Sequence, residues 1–154
     1  MHKIVPFLWF DKEAGEAAKF YTSIFKDSKI KSLEKLENTP SGTVEIATIE
    51  LLGQEFRLMS AGPLFKFTEA ISFEVGCQTQ EEIDYYWGKL SADPKAEQCG
   101  WLKDKYGLSW QIVPTVLSEM LKDKDQKKVA RVTEAFLQMK KFDIAGLKKA
   151  YDQR

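Results

Sequence analysis

Shifted so that Ile4 lands on Glu69, the chain falls on itself. Ile4-Val5-Pro6-Phe7-Leu8-Trp9-Phe10 then coincides with Glu69-Ala70-Ile71-Ser72-Phe73-Glu74-Val75, Phe20-Tyr21 with Tyr85-Tyr86, and Phe25 with Leu90. A second, smaller shift lays Gly53-Gln54-Glu55-Phe56-Arg57-Leu58-Met59 on Gly107-Leu108-Ser109-Trp110-Gln111-Ile112-Val113. An internal repeat constrains a fold more than any single motif, because each copy is one supersecondary unit and both copies must share its plan. The smaller second shift means that the second copy lacks about a dozen residues between its helix and its last strand.

Periodicity and punctuation give the plan. Residues 4–10 are apolar and β-prone and read as a strand. Residues 13–25 place Ala14, Ala17, Ala18, Tyr21, Ile24 and Phe25 at helical spacing. Residues 28–36 read as a strand with loose alternation, 38–42 as a turn, and 44–52 as a β-branched strand. Gly53-Gln54 then makes a tight hairpin into a strand over 56–60. The second copy follows with a strand at 70–75, a helix at 81–90, a turn at Pro94, a strand at 98–103, a turn at 104–107 and a strand at 108–113. Beyond Pro114 come helices at 116–121, 126–140 and 144–151, with Asp143 placed to cap the last. Val129, Val132, Phe136 and Met139 form the apolar stripe of the long helix. The expected fold is α+β. Two βαβββ modules, 1–61 and 65–114, form an open, curled mixed sheet in a domain spanning 1–114. A helical extension over 115–154 covers a sheet edge or a neighbouring subunit.

Composition excludes several classes. Lys plus Arg and Asp plus Glu number 23 each, a net charge of zero, so there is no basic excess to hold a nucleic-acid backbone. Cys77 and Cys99 are the two cysteines and form no C-x-x-C spacing, which argues against a disulfide framework. Asp11, Lys12 and Glu13 break the first apolar run, unlike a signal peptide. No segment approaches the ~20 apolar residues that span a bilayer. A cytoplasmic protein without a membrane or nucleic-acid partner is the expectation.

Four stretches carry a family resemblance: Pro6-Phe7-Leu8-Trp9-Phe10, Ala17-Ala18-Lys19-Phe20-Tyr21, residues 65–73 and residues 100–111 (Gly100-Trp101-Leu102-Lys103-Asp104-Lys105-Tyr106-Gly107-Leu108-Ser109-Trp110-Gln111). With an aromatic pair late in each helix and a glycine three residues before the aromatic of each last strand, the chain resembles the vicinal-oxygen-chelate superfamily. That superfamily contains glyoxalase I, extradiol dioxygenases and bleomycin-resistance proteins. Within it the chain is similar to the PhnB-like branch, often labelled 3-demethylubiquinone-9 3-methyltransferase. The resemblance implies the glyoxalase/bleomycin-resistance fold, with each module curling around half of a pocket. In metal-using members the first and last strand of each module supply one ligand apiece, typically two His and two Glu. Carried over residue by residue, those positions are Val5, Arg57, Ala70 and Gln111. Two cannot ligate, one is a cation, and a lone amide is a poor ligand, so neither a metal nor a cofactor is expected. His2, the one histidine, reads as a surface residue at the N-terminus.

Strand alternation places Val5, Phe7 and Trp9 opposite the helix, with Arg57, Ala70, Ser72, Glu74 and Gln111. Aromatic walls with a few polar groups suit a small molecule. Phe7, Trp9, Arg57, Ser72 and Gln111 are therefore the candidate ligand-binding residues. Arg57 suits a carboxylate or phosphate, and Glu74 is the candidate general base, a role that burial would favour. The plainer alternative pairs Arg57 with Glu74 and lets the aromatics fill the barrel. Cys99 has no histidine to activate it and reads as a small buried hydrophobe, with Trp101 on the same strand face.

Two functions fit. One is a metal-independent protein binding an apolar or aromatic small molecule, as the bleomycin-resistance relatives do. The other is an enzyme of lyase, isomerase or oxygenase type with a displaced active site. Methyl transfer from S-adenosylmethionine is disfavoured, since no glycine-rich turn follows the first strand and no G-x-G occurs. Relatives of this architecture commonly pair, so a homodimer is expected, by edge association or by exchange of modules through Ser60-Ala61-Gly62-Pro63.

Overall fold

A computed structural model of the chain describes residues 3–153. It contains two compact units that divide between Phe67 and Thr68. Each is built on one copy of the repeat, and the C-terminal helices belong to the second.

In the first unit the elements are β1 (Phe7–Phe10), α1 (Ala14–Ile24), β2 (Ser28–Thr39), β3 (Gly42–Leu51) and β4 (Gln54–Ser60). The sheet order is β1-β4-β3-β2, with β1 parallel to β4 and the other pairs antiparallel. Helix α1 turns Ala14, Ala17, Ala18, Tyr21 and Ile24 inward. Leu8, Phe10, Ala47, Ile49, Leu51, Phe56 and Leu58 of the sheet are buried as well. Truncating a fully buried member such as Leu58 to Ala would cost about 2–5 kcal/mol. Close packing reaches the backbone at Gly15, where a Cβ would stand 2.5 Å from Glu45 Oε1. The first strand begins at Phe7 rather than residue 4: Pro6 has no N–H for a ladder, though its carbonyl accepts from Arg57 N at 2.9 Å. The hairpin turn is Leu52-Gly53, at φ 50° and 85°, and Gln54 already pairs with Leu51. Two consecutive positive-φ residues form the mirror-image turn that matches strand twist. Strand β2 runs past residue 36 to Thr39, which pairs with Gly42 and accepts the Ser41 N–H on its hydroxyl at 3.1 Å.

In the second unit the elements are β5 (Ser72–Cys77), α2 (Gln80–Leu90), a 3-10 turn (Pro94–Ala96), β6 (Trp101–Lys103) and β7 (Ser109–Pro114), followed by α3 (Thr115–Leu121), α4 (Gln126–Leu137) and α5 (Ile144–Asp152). The sheet order is β5-β7-β6. The module is βαββ, one strand short of the expected βαβββ. Where the strand at 98–103 was expected to be continuous, Cys99 and Gly100 turn back with φ 51° and 81°. Gln98 and Trp101 exchange both backbone hydrogen bonds across them. A single bridge at Gln98 is thus all that remains of the missing strand, and this is where the second copy loses its residues. The first strand starts at Ser72 rather than 70, because Ala70 N donates to Thr68 Oγ1 in the preceding turn.

Buried Ile83, Tyr86 and Leu90 of α2 share the second core with Val75, Cys77, Leu102, Trp110 and Ile112. The C-terminal helices close a small core of their own from Leu117, Met120, Val132, Phe142 and Leu147, with Val113 of β7 packed on it. Helix α4 stops at Leu137, not 140. Met139 and Lys140 leave the helix, and their carbonyls accept the N–H groups of Cys99 and Gly100, each at 2.8 Å. Asp143 makes no side-chain cap; Gln80 does that work from α2, accepting Ile144 N at 2.9 Å and donating to Phe142 O at 3.0 Å. Among the described residues no helix is long and apolar enough to cross a membrane.

Candidate functional site

The residues expected to bind a ligand fall three in one unit and two in the other. In the first unit, Phe7, Trp9 and Arg57 share the sheet face away from α1. Phe7 lies directly across from Arg57 and Trp9 across from Met59; β3 brings Thr48 beside Arg57 and Ile46 beside Met59. Phe7 is 50% exposed. Trp9 is held from two sides: its Nε1 donates to Gly62 O at 2.8 Å, and Phe65 meets its ring edge-on at 5.0 Å. Phe65 itself is 59% exposed. Arg57 is exposed, and among the described residues its guanidinium makes no ion pair. The nearest carboxylate along its strand face, Glu55, is bound to Lys31 Nζ at 2.8 Å. Lys31 is held above the usual lysine range by that hydrogen bond. Sequence reasoning missed Phe65, Met59 and Thr48, because strand pairing and a loop contact bring them to this face.

In the second unit, Ser72, Glu74 and Gln111 share the sheet face away from α2. Glu74 is directly across from Gln111, and Gln111 Nε2 donates to Ser72 Oγ at 2.9 Å. Trp101 and Lys103 of β6 join the face opposite Gln111 and Ser109. Lys103 pairs with Glu69, whose carboxyl is drawn below its usual range by that hydrogen bond. Ser109 Oγ is buried and without a hydrogen-bond partner. Glu74 is exposed, whereas the base role assumed burial.

Cys99 sits in the turn, not on a strand face with Trp101. Its partly buried sulfur accepts from Gln98 Nε2 at 3.3 Å and donates to Leu137 O at 3.6 Å. Cys77 is fully buried, and desolvation, helped by the charge of Glu82, pushes its thiol up to about 12. A thiol so placed is packing, not a nucleophile.

Asp104 was read only as a turn residue, and it proves to be a buried clamp. One carboxylate oxygen accepts the N–H groups of Tyr106 at 2.9 Å and Leu108 at 3.1 Å, while the other accepts Trp110 Nε1 at 2.9 Å. The signal was present in the spacing: an Asp three residues before a Gly commonly bonds its own turn. The four stretches that carry the family likeness therefore include one whose acidic residue is structural.

Two open clefts of about 370 Å³ each lie elsewhere. One is bordered by Asp11, Lys12, Lys35 and Glu45, the other by Thr79, Gln80, Asp143 and Lys148. Neither includes a candidate ligand residue.

Comparison with known proteins places this geometry. The family model described as 3-demethylubiquinone-9 3-methyltransferase matches residues 2–113. A Bacillus cereus PhnB protein, for which 3-demethylubiquinone-9 3-methyltransferase activity is suggested, is 37% identical. The match covers 74% of this chain and all of that one, with a TM-score of 0.62. The fosfomycin resistance protein FosX of Listeria monocytogenes, as an E126Q mutant in complex with Mn(II) and 1S,2S-dihydroxypropylphosphonic acid, is 16% identical. It covers 79% of this chain and all of its own, with a TM-score of 0.56, and shows likeness of fold alone. No protein of curated function matches.

The metal that such a fold accommodates elsewhere does not fit here. Val5 and Ala70 precede their strands, Arg57 presents a cation, and Gln111 is engaged with Ser72. Among the described residues no group of three or more His, Cys, Asp or Glu could hold an ion. His2 lies outside the described residues.

Proposed function

The chain belongs to the 3-demethylubiquinone-9 3-methyltransferase family and has the glyoxalase/bleomycin-resistance fold, and from that premise we propose that it is a metal-independent binding protein for an apolar or aromatic small molecule. The observation that carries the reading is the face of the first sheet. Half-exposed Phe7 and Phe65 flank a Trp9 pinned by its indole N–H. A rigid aromatic platform beside one charged group is what a small flat ligand needs: apolar area for affinity, one polar contact for orientation.

Methyl transfer, which the family's description names, has no support in the local geometry. A nucleotide-type cofactor is held at a glycine-rich turn opening onto a helix N-terminus. At the start of α1 the Ala14 N–H is taken by Ser60 Oγ at 2.9 Å, and Glu45 crowds Gly15. S-adenosylmethionine therefore does not fit there.

In this reading the protein works in the cytoplasm, with Cys77 and Cys99 as free thiols, and as a homodimer. Support for pairing comes from β2, an edge strand whose Leu33 and Leu36 are 52% and 47% exposed. A Leu33→Lys variant that still sediments as a dimer would remove that support.

The test of binding is a titration of the purified protein with N-phenyl-1-naphthylamine, a neutral aromatic dye, with and without EDTA. Saturable binding that EDTA leaves unchanged and that Phe7→Ala weakens is the expected result. Binding that appears only with added manganese or nickel, or a stoichiometric metal adduct in native mass spectrometry, would overturn it.

A further inference from the structure

Resting on the reading just given, we infer that the ligand is an aromatic anion, its ring on the Trp9–Phe7 platform and its carboxylate, sulfonate or phosphonate group on Arg57. The register sets the distance scale. Arg57 is the direct cross-strand neighbour of Phe7 and is flanked on its other side by Thr48. Directly opposed residues in a sheet stand roughly 5 Å apart at Cβ, so one small molecule can touch both. A guanidinium at this place is chemically specific, since its fork matches a planar or tetrahedral oxyanion with paired donors.

The surrounding charges leave that role open. Glu55, on the same face two residues before Arg57, is committed to Lys31 at 2.8 Å. Glu50 lies across from Glu55 and also acts on Lys31. Lys31 thus holds Glu55 at 2.8 Å, and Glu50 acts on the same charge. On the opposite side the neighbours are Phe7, Trp9, Met59 and Ile46, all apolar and all partly or half exposed. A cation bordered by aromatic surface and, among the described residues, without a carboxylate paired to it selects for negative charge on an apolar body. The hydroxyl of Thr48 supplies a further donor beside it.

The experiment uses two dyes that differ by one group. 1-Anilinonaphthalene-8-sulfonate and N-phenyl-1-naphthylamine share the ring system, and only the first carries the sulfonate. Both are titrated into the full chain and into Arg57→Met, with urea unfolding midpoints showing that the exposed substitution leaves the fold intact. The sulfonate dye is expected to bind about tenfold more tightly than the neutral one, the scale of a hydrogen bond to a charged partner. That preference should shrink as salt is raised. Arg57→Met should erase it, and Arg57→Lys should restore part of it. Equal affinities in the wild-type chain would overturn the inference while sparing the binding reading. So would a preference that survives in Arg57→Met. Failure of both dyes to bind, as when a second copy covers the face, would sink the binding reading and the inference together.

Discussion

The two units begin from one module and end with opposite solutions at the same place. In the first, the strand after the helix is kept at 12 residues and becomes a sheet edge. In the second, its counterpart is one bridge at Gln98. An edge strand left open invites pairing with another chain, and charged side chains, lysines above all, restrain it; β2 carries Lys29, Lys31 and Lys35, all exposed. Deleting the strand removes that liability but leaves a tight turn whose amides need acceptors. The segment between α4 and α5 supplies them through Met139 and Lys140. The parallel pairings differ as well. Phe7 lies across from Arg57 in one sheet, whereas Ser72, its repeat equivalent, lies across from Ser109, two residues before Gln111, the equivalent of Arg57. A slip of two keeps every side chain on its face, so the repeat remains readable while the neighbours change.

That contrast can be broken most sharply at the clamp found in the second unit alone. Asp104→Ala would leave a buried indole N–H and two backbone N–H groups without acceptors. It is expected to destabilise by about 3 kcal/mol or more, read as a lower urea midpoint in tryptophan fluorescence; an unchanged midpoint would show that the clamp is ornamental. Next in size is Gly100→Ala. The backbone there has φ 81°, and a Cβ would stand 2.5 Å from the Phe142 ring. A loss of about 2 kcal/mol is expected, with early proteolysis of the C-terminal helices as its local signature.

Alkali should distinguish the units more gently. The raised folded value of Cys77 means that the native state holds its proton more tightly than the unfolded chain. Stability from this group is whole below the ordinary thiol value of 9.0 and is lost as pH rises toward about 12. Cys77→Ala should flatten that part of a pH–stability profile, and in the native wild type iodoacetamide should label partly exposed Cys99 while sparing Cys77. The smallest effect belongs to the first unit. Breaking the Lys31–Glu55 pair with Lys31→Gln should leave the urea midpoint unmoved, since solvent screens exposed pairs.

Much of this was legible in the chain because the signals were local. Apolar spacing over Ala14–Ile24 and Gln80–Leu90 located both helices to within a residue or two, and the repeat placed every strand that exists. What escaped was decided by partners distant in sequence. Cys99-Gly100 lies within a run that reads as a strand, and its turn rests on carbonyls some forty residues further on. Asp143 has the composition of a cap, yet Gln80 reached the Ile144 N–H. For the candidate site, alternation put Phe7, Trp9 and Arg57 together with Ser72, Glu74 and Gln111 on the side away from the helices, and the registers divide them between two sheets. It had no means of finding Phe65, which reaches Trp9 from a loop.

The hold of Met139 and Lys140 on the Cys99-Gly100 turn also orders events during synthesis. Made from its N-terminus, the chain has every strand of its first sheet once Ser60 has emerged, and that sheet can pair at once. The second sheet is in hand at Pro114, but its turn amides stay unanswered until Lys140 follows. For the time a ribosome takes to add those residues, at ~5–20 per second, one half of the protein is a finished fold and the other a waiting one. Any chaperone that attends this chain would find its work in that interval, on the surface that Phe142 and Leu147 later cover.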